Sequence, residues 1–134
     1  MDASVAVNAL ADNSSDGDRA RAALLADPDL AAPDLMNVEV VSVLRQWWQR
    51  GQLSDQNMRE AIANLAALDV AHYPTLPLMD RAYELRSNLT PYDAAYVALA
   101  ETLDCPLLTA DVRLAKAPGP LCQIDVIGQQ EIIS

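Results

Sequence analysis

Asn88-Leu89-Thr90-Pro91-Tyr92-Asp93-Ala94-Ala95-Tyr96-Val97-Ala98-Leu99-Ala100-Glu101, followed after a short link by Pro106-Leu107-Leu108-Thr109-Ala110-Asp111-Val112-Arg113-Leu114-Ala115-Lys116, is the stretch on which the fold turns. Thr90 is an N-cap residue, and Pro91 suits the first helical turn because that turn needs no amide donor and the proline ring supplies the right φ. Asp93 therefore falls in the first turn. Ala94, Val97, Ala98, Leu99 and Glu101 continue at helical spacing, and the alanines let this helix lie close against a sheet. Leu107-Leu108-Thr109 has strand length and no polar alternation, as a strand covered on both faces does. Asp111 sits just past its end. Ligands of parallel α/β folds bind at the carboxyl ends of strands, so Asp111 beside the helix-start Asp93 marks a candidate site.

Working outward, Asn13-Ser14-Ser15-Asp16-Gly17 is a polar turn from which Asp16 or Asp18 caps a helix running to about Leu25, ended by Pro28. Leu30-Ala31-Ala32 reads as a short strand. A long amphipathic helix is expected from Asp34, with Leu35, Val38, Val41, Leu44 and Trp48 along one stripe and Gly51 as its stop. Ser54-Asp55 opens another helix, in which Met58, Ala61, Ile62, Leu65 and Leu68 keep helical spacing. Val70 to Tyr73 reads as a strand, Leu76 to Leu85 as a helix, and Ile124 to Ile127 as a last strand. Val5, Val7, Ala9 and Leu10 fit either a strand or a short helix, and so short a run does not decide between them. Short strands separated by helices of ten or more residues point to an α/β fold with a short central parallel sheet flanked by helices in three layers. The 134 residues suit a single domain over 1–134.

Nine basic residues against nineteen acidic ones leave a formal charge of −10, so the surface as a whole repels phosphate. Divalent ions held by some of those carboxylates would reverse that locally. Phe is absent and half the residues are apolar, so the core is aliphatic and alanine-rich. Cys105 and Cys122 form no metal or CxxC pattern and read as reduced thiols. The N-terminus shows no basic region followed by an apolar one, and no run reaches membrane-spanning length, so the expectation is a cytoplasmic protein without a membrane partner.

Asp2, Glu39, Asp93 and Asp111 each sit in apolar or alanine-rich sequence. Acids on otherwise buried elements are costly unless paired, and the scarcity of Lys and Arg nearby makes a metal the better partner. Two carboxylates about 4 Å apart repel by roughly 4 kcal/mol at an effective dielectric of 20, so four converging acids need a cation. Hard oxygen ligands suit Mg²⁺ or Mn²⁺. Taken singly, Asp93 also reads as a first-turn acid favoured by the helix dipole and Asp111 as the cap of the next helix. His72, the one histidine, has no recognisable partners for a triad or zinc site and reads as structural. One of Trp47 and Trp48 belongs to the core. Arg86 and Arg113 flank the acidic segments and are candidate phosphate contacts.

The stretch Leu89 to Ala100 followed by Leu108-Thr109-Ala110-Asp111 resembles the C-terminal half of PIN-domain ribonucleases, specifically the VapC toxins of bacterial toxin–antitoxin pairs. Met1-Asp2-Ala3-Ser4 resembles that family's opening, and Asn37-Val38-Glu39-Val40-Val41-Ser42-Val43-Leu44 its acidic helix. The resemblance implies a PIN-like fold and a metal-dependent endoribonuclease. Asp2, Glu39 and Asp93 would be the main ligands of Mg²⁺ or Mn²⁺, with Asp111 holding a second ion or orienting a water, and Ser4 and Thr109 supporting the ligands. It also implies an RNA substrate, a homodimer and a cognate VapB-type antitoxin covering the site. It places a strand before Asp2 and a helix after Ser4; since only Met1 precedes Asp2, either that strand is nearly missing or the native start lies upstream. Two other readings stay open: a PIN-type nuclease of DNA or of RNA processing, and a non-catalytic acidic protein-binding module of the same fold.

Overall fold

A computed structural model describes residues 1–127. Its elements are α1 (Ala3–Ala11), α2 (Ser15–Ala26), β1 (Ala31–Pro33), α3 (Met36–Gln49), α4 (Asp55–Ala67), β2 (Ala71–Tyr73), a 3-10 turn (Leu76–Leu78), α5 (Met79–Glu84), α6 (Pro91–Leu103), β3 (Leu107–Thr109), α7 (Val112–Lys116) and β4 (Ile124–Val126). The segment after Ser4 is therefore a helix, and Val5 and Val7 are buried on it. The expected helix from Leu76 to Leu85 is instead a 3-10 turn running into a six-residue helix. Pro77 accounts for the tight start, because it has no amide hydrogen to place in a longer ladder.

The strands form two parallel pairs, β1 with β2 and β3 with β4. Met1 and Asp2 join them: the Met1 amine donates to the Ala31 carbonyl at 2.9 Å, and the Asp2 amide donates to the Leu108 carbonyl at 2.9 Å. Asp2 is extended, with φ −97° and ψ 175°. Met1 and Asp2 thus stand between the two strand pairs, where the resemblance implies a strand.

On the strands lie α1, packed with α2, α3 and α4, and separately α6, which packs with α5 and touches both β1 and β3. Ala94 through Ala100 are all buried, so α6 is enclosed on every side rather than amphipathic. Gly17 lets α2 meet the end of α1, since a Cβ there would fall 1.7 Å from the Asp12 carbonyl oxygen. Gly51 ends α3 at a φ of +73°, where the missing Cβ removes the penalty.

The buried stripe of α3 differs from the one its spacing predicts. Met36, Val40 and Leu44 are fully buried, while Val38 is 75% exposed and Trp48 is 44% exposed. Apolar residues occupy neighbouring rows of this helix, and contact with α1 and α4 selects the row. Trp47 packs against the core; Trp48 lies outside and donates from its indole nitrogen to Asp55. His72 is exposed on β2.

Candidate active site

Asp2 is the N-cap of α1 and only 5% exposed. Its Oδ1 accepts hydrogen bonds from the Ser4 amide (3.1 Å), the Ser4 hydroxyl (2.5 Å) and the Val5 amide (3.4 Å), and its Oδ2 accepts from the Thr109 hydroxyl (2.5 Å). Burial pushes the Asp2 carboxyl above the ordinary aspartate value, and these donors act against that. The sequence motif Asp-x-Ser is thus a capping motif and a carboxylate clamp at once.

Ser4 and Thr109 are tied to each other as well as to Asp2. Their hydroxyl oxygens lie 3.4 Å apart, Ser4 Oγ accepts from the Ala110 amide at 2.9 Å, and Thr109 Oγ1 accepts from the Asp111 amide at 3.0 Å. Both residues therefore support Asp2, and the end of β3 is fastened to the start of α1.

Glu39 stands in the first turn of α3 and Asp93 in the first turn of α6, both half-buried. Burial raises both carboxyls. Glu39 is raised further by the charges of Asp93 and Asp2, and Asp93 by those of Asp2 and Asp111. Charge from Asp2 thus reaches both Glu39 and Asp93, and charge from Asp111 reaches Asp93. Opposing this, Tyr96 donates to Glu39 Oε1 at 2.6 Å, and the Thr90 hydroxyl acts to lower the Asp93 carboxyl. Asp2, Glu39 and Asp93 have no Arg or Lys ion pair among the described residues.

Asp111 departs from the expectation that no basic group is near. It caps α7 by accepting from the Arg113 amide at 2.9 Å, and the Arg113 guanidinium pairs with both its oxygens at 3.2 Å. That guanidinium holds the Asp111 carboxyl below the ordinary aspartate range. The helix-cap reading of Asp111 is therefore correct as local structure, and Arg113, offered above as a phosphate contact, is engaged by Asp111. Its side chain is 91% exposed, so water screens the pair and leaves it worth little.

As a donor set for a cation, three carboxylates with no Arg or Lys ion pair among the described residues fit a hard divalent ion in chemistry. Among the described residues no group of three or more His, Cys, Asp or Glu side chains is arranged so that it could hold a metal ion.

Tyr96 is the site residue that the sequence reading missed. A signal was present: it follows Asp93 by three positions, on the same helical face, in an otherwise alanine-rich run.

A family model described as PIN domain matches residues 1–120. The chain is 41% identical over 127 residues to VapC ribonuclease Mb0985 of Mycobacterium bovis and to Ribonuclease VapC9 of Mycobacterium tuberculosis, covering 95% of this chain and 96% of each relative. It is 41% identical over 128 residues to Ribonuclease VapC1 of Mycobacterium tuberculosis, with the same coverage.

Proposed function

This chain belongs to the PIN-domain family, and from that premise we propose that it is an endoribonuclease that hydrolyses RNA phosphodiesters with Mg²⁺ or Mn²⁺, acting as the toxin of a toxin–antitoxin pair. The observation that carries the reading is that the charge of Asp2 raises the carboxyls of both Glu39 and Asp93, and that of Asp93 raises Glu39, with none of the three ion-paired with Arg or Lys among the described residues. Relatives named as ribonucleases VapC support the substrate class.

A divalent ion bound here would supply Lewis-acid charge for an attacking water and for the phosphate. The residues of the chain do the rest. Ser4 and Thr109 fix both oxygens of Asp2, so its orientation is set before any ligand arrives. Glu39 and Asp93 present carboxylates from the first turns of two helices. Asp111 keeps its charge through Arg113 and is suited to hold a second ion or to orient water. A VapB-type antitoxin that covers these acids and a homodimeric toxin complete the proposal. No helix among the described residues is long and apolar enough to cross a membrane.

The second reading, a non-catalytic acidic binding module, is favoured by the lack of a preformed three-residue cage among the described residues. Incubation of the purified protein with total RNA and Mn²⁺, followed by end mapping, separates the two. Cleavage by the native protein and its loss in Asp93→Asn, with the fold retained, support the nuclease. Cleavage at an unchanged rate in Asp93→Asn would overturn the assignment of the site.

A further inference from the structure

Tyr96 is 2% exposed, and its hydroxyl stands between two of the segments that carry the acids. It donates to Glu39 Oε1 at 2.6 Å, across 57 positions of sequence. An ionised carboxylate can only accept, so the hydroxyl proton is directed to Glu39. Asp93 lies three positions earlier on the same helix, so the element that presents the Asp93 carboxylate also holds the Glu39 carboxylate.

We propose that Tyr96 is a positioning residue of the site, whose hydroxyl sets Glu39 relative to Asp2 and Asp93 and occupies one of its oxygens so that the other faces the ion. This rests on the metal-dependent reading above. The arrangement is that of a ligand oriented by a partner that does not itself touch the ion; loss of such partners commonly lowers metal affinity 10- to 100-fold. Tyr96→Phe would retain the ring and its packing while removing the hydrogen bond to Glu39.

The test is Mn²⁺ binding measured by calorimetry on the native protein, Tyr96→Phe, Glu39→Gln and the double variant, with thermal unfolding recorded for each. The expected result is about tenfold weaker Mn²⁺ binding in Tyr96→Phe, and no further loss when Tyr96→Phe is added to Glu39→Gln, because the hydroxyl acts through that carboxylate. A lower Tm with native Mn²⁺ affinity would overturn the proposal, since that is what packing alone predicts. Additive losses in the double variant would overturn it too. Glu39→Asp offers a second route that leaves Tyr96 intact: it withdraws the carboxylate from the hydroxyl while keeping the charge, and native affinity there would also overturn the proposal. If the native protein binds no Mn²⁺, the metal reading falls and this proposal falls with it; native binding with an unaffected Tyr96→Phe removes this proposal alone.

Discussion

The hydroxyl of Thr109, at the last position of β3, donates to Oδ2 of Asp2 at 2.5 Å across 107 positions of the chain. Thr109 is fully buried, so no water replaces that donor. Thr109→Val keeps the shape and removes the hydroxyl, leaving Asp2 Oδ2 and the Asp111 amide without this partner. The expected loss is about 1–3 kcal/mol, the range for stranding buried polar groups. Urea denaturation of the two proteins checks it, and equal midpoints would show that the hydroxyl is dispensable.

Mn²⁺ should stabilise the protein by mass action. An ion that binds the folded state alone adds about 2.7 kcal/mol at a hundredfold excess over its Kd. The gain should vanish in Asp93→Asn, whose own apo stability should match or exceed the native value because one of the repelling charges is gone. Thermal unfolding across a Mn²⁺ titration is the measurement, and a flat Tm to saturating ion would argue against a metal site.

Glu101 provides a pH dependence away from the acidic site. Arg81 donates to both of its oxygens, at 2.7 Å and 3.1 Å, and the Leu121 amide donates to Oε2 at 2.7 Å. The Arg81 hydrogen bonds hold the Glu101 carboxyl below the ordinary glutamate range. A depressed carboxyl contributes stability that is present above the unfolded value, about 4.3, and is lost as pH falls through the lower folded value. Glu101→Gln should therefore cost about 2 kcal/mol at neutral pH and flatten the fall in stability on acidification below pH 4. Denaturation midpoints at pH 3 and pH 7 decide it: an equal acid loss in both proteins would place the pH sensitivity elsewhere.

The cleft beside Met1, about 890 Å³ and lined in part by Leu30, Ala31, Cys105, Pro106 and Leu108, lies between the two parallel strand pairs. An added segment of four or five β-branched residues before Met1 matches the usual strand length, and would extend the ladder that Met1 and Asp2 begin. The extended protein should melt several degrees higher. An unchanged Tm would show that the cleft does not accept a strand.

What the sequence determined by itself is the part written in neighbouring residues. Thr90 and Pro91 start α6, Ser54 starts α4 and Gly51 ends α3, because caps and breakers act through their own backbone within one turn. Asp2, Glu39, Asp93 and Asp111 were legible as out-of-place acids in apolar surroundings, and the Asp111–Arg113 pair, two residues apart, was legible too though passed over. Tertiary structure alone decided the rest. Whether Val38 or Val40 is buried depends on which row of α3 meets α1 and α4, and several apolar rows leave periodicity without a choice. That Tyr96 serves Glu39 is a contact over 57 positions, and the bridge of Met1 and Asp2 between two strand pairs rests on contacts over 30 positions, to Ala31, and over more than 100, to Leu108. No local rule specifies such partners, because they arise only when packing of the whole core brings separate elements within hydrogen-bond reach.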